Sequence, residues 1–152
     1  MIHHGNEPMV IDHIGFVVKR LDEGIEQWTS LFGYVPITEK VANTRQKVNV
    51  IFLAKKDSCL VKLIEPSDKR SPIYQFALKG GGLHHICFRC TNLAAGIERL
   101  RKKGMRVIAE PQPGEAFENE KIAFLYARPG LNIELIDTDK KAGRREIPDD
   151  LL

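Results

Sequence analysis

The sequence predicts an α+β fold built from two tandem βαβββ modules, whose strands form one cup-shaped, incompletely closed, eight-stranded mixed sheet with the helices outside. Two observations carry this expectation. The chain overlays on itself at a shift of 72 residues, and each half reads as the same succession of elements. At that shift His13, Ile14 and Phe16 meet His85, Ile86 and Phe88, and Gly24, Ile25 and Glu26 meet Gly96, Ile97 and Glu98. Phe52 and Leu53 meet Phe124 and Leu125, and Leu63 and Ile64 meet Leu135 and Ile136. One offset serves both ends of the unit, which is the mark of a repeated supersecondary structure.

The first module opens with an apolar strand, Ile11 to Val18. An amphipathic helix follows at about Asp22 to Leu31, with Ile25, Trp28 and Leu31 near one stripe. Gly33 ends it, as glycine commonly does just past a helix C-terminus. Strand-like runs follow at Val35 to Glu39, Val48 to Ala54 and Cys59 to Ile64, the last two joined by the polar turn Lys55-Lys56-Asp57-Ser58. The second module repeats the order, with a strand at His84 to Cys90, a helix at about Leu93 to Lys103 stopped by Gly104, and strands at Met105 to Ala109, Lys121 to Tyr126 and Leu131 to Ile136. Between the modules (about 10–65 and 83–138) lies a linker over 66–82, with a short helix at Pro72 to Leu78 and the joint Gly80-Gly81-Gly82. Pro111 to Asn119 reads as a rim loop, residues 40–47 as another, and the charged tail 139–152 as solvated.

A length of 152 residues, 43% hydrophobic and 28% charged, suits one globular domain spanning 1–152 with a substantial core. The net charge of +3 is spread along the chain apart from Lys140, Lys141, Arg144 and Arg145, which is too diffuse for nucleic acid but compatible with an anionic small molecule. No apolar run approaches the ~20 residues of a membrane span. Met1 to Pro8 has no apolar h-region, so it does not read as a secretory signal. Three cysteines, Cys59, Cys87 and Cys90, form no disulfide framework and point to a reducing, cytoplasmic setting. Cys87-x-x-Cys90 has the spacing of a redox or zinc pair, but residues three apart on a strand face opposite ways.

Polar residues inside apolar strands carry the functional information. The period of two places His13, Gly15 and Val17 on one face of the first strand, and His85, Cys87 and Arg89 on the matching face of its counterpart. Helix packing claims the other faces, so each module offers one histidine to the face away from its helix. In the closing strands Lys62 lies between Val61 and Leu63, and Glu134 between Ile133 and Leu135. Each stands 49 residues beyond its module's histidine. Pseudo-two-fold packing lets all four converge, and two histidines with a carboxylate suit a divalent ion such as Zn²⁺, Ni²⁺, Co²⁺ or Mn²⁺. A hydrogen-bonded structural role is the alternative for each histidine. His84 is expected to point away from His85, and His3 and His4 to be tail residues.

Asp12-His13-Ile14-Gly15, Gly82-Leu83-His84-His85-Ile86-Cys87 and Asn132-Ile133-Glu134-Leu135 resemble the vicinal oxygen chelate superfamily, which includes glyoxalase I, extradiol dioxygenases and bleomycin-resistance proteins. Within it the chain looks most like the methylmalonyl-CoA epimerases, with Ser71-Pro72-Ile73 and Phe76 adding to the likeness, which runs from about Ile11 to Asp137. The resemblance implies one divalent metal ion bound by residues from four strands, here His13, His85 and Glu134, with Lys62 in the fourth position. It departs from the family pattern there, where glutamine or glutamate is usual, and at Tyr126-Ala127-Arg128-Pro129, where a His-Pro-Lys stretch is usual.

The implied activity is proton abstraction next to a carbonyl of a small acyl or acyl-CoA-like substrate, with Glu134 and Lys62 as catalytic groups. Lys62 is a base lowered by burial, an ion-pair partner of Glu134 in the metal's place, or a chain that reaches the cup's edge and leaves a three-ligand metal. Arg89 is a candidate for a substrate carboxylate or phosphate, or for a surface salt bridge. A metal-free binding or sequestering protein and a metal-dependent lyase or dioxygenase are the competing functions. A homodimer is compatible with the resemblance.

Overall fold

A computed structural model of the chain describes residues 7–151, so His3 and His4 lie outside the described part. Its strands are β1 (Val10–Val17), β2 (Val35–Pro36), β3 (Val41–Asn43), β4 (Val48–Ala54), β5 (Leu60–Pro66), β6 (Gly82–Arg89), β7 (Arg106–Pro113), β8 (Lys121–Ala127) and β9 (Leu131–Ile136). The helices are α1 (Leu21–Phe32), α2 (Tyr74–Leu78) and α3 (Leu93–Lys102). One mixed sheet runs in the order β2-β4-β5-β1-β6-β9-β8-β7, with β3 also paired to β4. The β1–β5 and β6–β9 pairs are parallel, and the central β1–β6 pair that joins the two modules is antiparallel.

Strand alternation sorts the core into an inner layer and two outer ones. On β4, Val48, Val50, Phe52 and Ala54 face the inside of the cup. Ile51 and Leu53 face α1 with Leu21, Val61 and Leu63. The outer layer of the second module packs Leu93 and Ile97 of α3 on Ala123, Leu125 and Leu135.

The repeat holds to the level of single contacts. A Cβ on Gly24 would lie 3.0 Å from Val18 and 3.1 Å from Leu63, and one on Gly96 would lie 2.9 Å from Cys90 and 3.1 Å from Leu135. Both glycines let a helix approach its sheet closely, at pairs of positions that share the 72-residue offset. The helix starts are capped the same way. The Leu21 N–H donates to Glu65 at 2.7 Å, and the Leu93 N–H donates to Asp137 at 2.9 Å.

The sheet has nine strands where the sequence predicts eight. The expected strand 35–39 ends at Pro36. The Ile37 N–H still donates to the Phe52 carbonyl, but the Phe52 N–H turns to the Thr38 hydroxyl and the Ile37 carbonyl takes the Arg145 N–H. A separate β3 forms at 41–43 within the expected rim loop. The stretch 111–119 is likewise more ordered than a loop. β7 carries Pro111 and Pro113 at the sheet's free edge, where a missing N–H is tolerated, and a single 3-10 turn then buries Phe117 completely. Cys87 and Cys90 fall in opposite core layers, as expected for two residues three apart on a strand.

The tail departs most from expectation. It is not simply solvated: Lys141 is buried, and its Nζ lies 3.2 Å from the Asp12 carboxylate. Around it the Ala142 N–H donates to the Ala116 carbonyl, the Glu39 N–H to the Gly143 carbonyl and the Arg145 N–H to the Ile37 carbonyl. The tail thus straps the two modules together beneath the cup. Replacing Lys141 with Met should cost about 3 kcal/mol in a denaturant titration, because it leaves a buried carboxylate short of its counter-ion. Arg89, 3.9 Å from Asp12, keeps the loss at the low end of the range. Unchanged stability would mean that the strap carries no load.

Candidate active site in the cup

β1 and β6 meet antiparallel with Ile14 opposite Ile86, and two bulges flank that pair. One inserts Asp12 into β1 and the other inserts His84 into β6, again 72 residues apart. A bulge adds one residue and turns its side chain away from strict alternation. Asp12 therefore reaches the following histidine, with its Oδ2 2.7 Å from His13 Nδ1. His84 does the same, with its Nδ1 2.9 Å from His85 Nδ1. The expectation that His84 points away from His85 is corrected by this bulge.

The two histidines then meet Glu134 of β9. His13 Nε2 is 3.0 Å from Glu134 Oε1, His85 Nε2 is 3.5 Å from the same oxygen, and the two Nε2 atoms are 3.4 Å apart. All three side chains are buried, and both Glu134 oxygens lack a hydrogen bond. A buried carboxylate is costly unless positive charge faces it. The triangle also fits a metal ion. Metal–ligand bonds of about 2.0–2.2 Å place donors about 3.0–3.5 Å apart. A carboxylate only accepts, so Asp12 fixes the proton of a neutral His13 on Nδ1 and leaves Nε2 free to ligate. His13, His85 and Glu134 are thus the residues able to hold a metal. A second cluster, Asp12, His13 and Cys87, shares His13, and burial pushes the Cys87 thiol well up, so it stays protonated.

The fourth side is a cation already. Lys62, from β5, is buried, and its Nζ lies 3.6 Å from Glu134 Oε2. The Phe117 and Phe52 rings lie 5.0 Å and 5.8 Å from Nζ, within cation–π range. A cavity of about 320 Å³ opens over this floor, walled by Val48, Val50, Ile64, Ile73, Ile108 and Phe124, with Lys62, His84, His85 and Glu134 beneath. A larger hollow of about 620 Å³ lies outside the sheet against α3 and holds none of these groups.

Burial works to raise the Glu134 pKa, but Lys62, His85 and His13 outweigh it and hold the carboxyl well below the usual range. At Asp12, burial is likewise outweighed by His13 and Lys141, and the carboxyl stays ionised. Burial lowers His84 and takes His85 down to about 4, against the pull of Glu134. A depressed histidine favours the unfolded state once that state binds the proton. In metal-free protein the His85 contribution is therefore complete above pH 6.5 and lost as pH falls from 6.5 towards 4. Thermal melts between pH 8 and 4 should fall across this window, and His85→Asn should flatten the fall. Equal slopes in the two proteins would place the titration elsewhere.

Arg89 does not line the cup. Its side chain is 40% exposed, and its guanidinium lies 3.9 Å from the Asp12 carboxylate, which is the salt-bridge alternative.

The model of the Glyoxalase/Bleomycin resistance protein/Dioxygenase superfamily matches residues 12–124. The chain belongs to this superfamily. It is 32% identical over 130 residues to the protein YqjC of Bacillus subtilis, covering 84% of this chain and 91% of that one. Among solved structures it is similar to methylmalonyl-CoA epimerase from Mycobacterium tuberculosis, with a TM-score of 0.75 and 30% identity over 90% of this chain and 92% of that one. It is similar also to a methylmalonyl-CoA epimerase in complex with methylmalonyl-CoA and NH4⁺, with a TM-score of 0.73 and 28% identity over 90% of this chain and 97% of that one. Among the described residues no helix is long and apolar enough to cross a membrane.

In this superfamily member, His13, His85, Glu134 and Lys62 converge as the repeat predicts, whereas the groups that orient and enclose them are not singled out by the sequence. Asp12 and His84 carried a usable signal, since the repeat offset pairs them as it pairs the histidines. Lys141 and Phe117 carried none, because each lies in a segment without periodicity.

Proposed function

We propose that this chain catalyses proton transfer at the carbon next to the carbonyl of a small acyl-CoA, as a methylmalonyl-CoA epimerase does. The observation that carries the reading is the buried His13–His85–Glu134 cluster, with Lys62 beside it, at the floor of a largely apolar cup. The wall suits an acyl group, and the floor suits the oxygen on which negative charge develops. Similarity to epimerases, one of them bound to methylmalonyl-CoA, supports the same class of substrate.

A carbon acid next to a thioester is too weak to ionise freely at neutral pH, so its enolate needs positive charge at the oxygen and a base at the carbon. A divalent ion held by His13, His85 and Glu134 would supply Lewis acidity there. Glu134, kept ionised and without a hydrogen bond, accepts the proton as the C–H bond breaks and its electron pair moves to the carbonyl oxygen. The Lys62 ammonium, 3.6 Å from the same carboxylate, offers positive charge to that carbonyl oxygen. The floor groups are themselves buried, so their charges act at reduced dielectric. The enolate is planar, and a proton delivered to its opposite face by water in the open side of the cup inverts the centre, Glu134 then releasing its own proton to solvent.

The test is proton NMR of methylmalonyl-CoA in deuterated buffer. Wild-type protein should exchange the α-proton and interconvert the epimers far faster than buffer. Binding of acyl-CoA without exchange would replace the enzyme reading with a sequestering one.

A further inference from the structure

We propose that Lys62 is the resident cation of this cup, holding the place of the divalent ion and keeping such ions out of the His13–His85–Glu134 triangle. The proposal rests on the proton-transfer reading only for its catalytic half.

Three observations carry it. First, Glu134 is divided between two sides. Its Oε1 faces both imidazole Nε2 atoms and its Oε2 faces the Lys62 ammonium, so the carboxylate is already matched to one positive charge. Second, the buried charges balance without a metal. Metal binding takes both imidazoles neutral, and then Lys62 offsets Glu134 while Lys141 offsets Asp12. A divalent ion would leave two uncompensated positive charges in a buried site, where desolvation costs several kcal/mol per ion. Third, Lys62 lines the cavity with a side chain only 3% exposed, and its Nζ makes no hydrogen bond among the described residues. Its N–H groups are free for an oxygen placed in the cup, and the Phe52 and Phe117 faces hold the charge in place. A carboxylate, thioester carbonyl or enolate oxygen is the ligand class it fits.

The experiment is calorimetric titration of Co²⁺ and Zn²⁺ into folded wild-type, Lys62→Gln, Lys62→Glu and Lys62→Gln/His85→Ala proteins. All carry His3→Ser and His4→Ser, so that these histidines do not compete. Wild type should give no one-to-one isotherm. Lys62→Gln and Lys62→Glu should bind one ion on the order of a hundredfold more tightly or better, the scale a like charge a few Å away sets inside a protein, and His85→Ala should abolish that binding. Where wild type exchanges the α-proton, a chelator should leave its rate unchanged, while Lys62→Gln should need added Co²⁺. One-to-one binding by wild type as tight as by Lys62→Gln overturns the proposal, as does failure of both Lys62 variants to bind. The calorimetry uses no substrate, so its failure is distinct from failure of the epimerase reading, which would show as absent exchange.

Discussion

Replacing Glu134 with Gln should remove about 10²–10⁴-fold of the α-proton exchange rate, the range for a lost general base, and should cost about 3 kcal/mol of stability. The two effects have separate causes. An amide in place of the carboxylate would keep the shape of the side chain but cannot take a proton at neutral pH. It would also leave the ammonium of the buried Lys62 side chain, 3.6 Å away, without a counter-charge, and breaking a buried pair from one side costs about 3–5 kcal/mol. The double substitution Glu134→Gln/Lys62→Met separates them. Removing both charges should recover most of the lost stability, because no unpaired charge remains, while exchange stays at the level of the single variant. Exchange at the wild-type rate in Glu134→Gln would take the proton acceptor away from β9. Additive losses of stability would mean that the two charges do not interact.

The fold was legible because its two signals are local and repeated. Alternation along β1, β4 and β6 fixes which residues face the cup, and the 72-residue offset doubles every such inference. His13, Lys62, His85 and Glu134 therefore converge as the pattern requires. What stayed hidden depends on departures from alternation or on distant partners. A bulge shifts one residue against its neighbour strand and leaves no mark in composition, so His84 reads as facing away when it reaches His85. Pro111 and Pro113 read as loop because proline is judged against a central strand, whereas β7 is an edge. Lys141 reads as solvated because a charged tail normally is. Its burial follows from Asp12, 129 residues away, a carboxylate that has to be neutralised beneath the sheet. The same kind of distant pairing sets Arg89, which the face rule aims at the cup and which pairs with Asp12.

Gly15 shows how a small residue sets the site. It stands opposite His85 in the β1–β6 ladder, and a Cβ built on it would lie 2.3 Å from His85 Cε1 and 2.7 Å from both ring nitrogens. No contact that short survives, so Gly15→Ala must move the imidazole. The ring has little room, being buried with His84 held 2.9 Å from its Nδ1. Its displacement opens the triangle with His13 and Glu134. A shift on the order of 1 Å in a catalytic group can cost about a hundredfold, so Gly15→Ala should lower the exchange rate by about that factor, chiefly in kcat. Overpacking should cost about 1–3 kcal/mol. If the imidazole is what the methyl strikes, Gly15→Ala should cost much less stability when His85 is already Ala, since substitutions in contact are not additive. Equal costs in the two backgrounds would place the strain in the backbone of β1, and an unchanged kcat would show that His85 keeps its place without the space Gly15 provides.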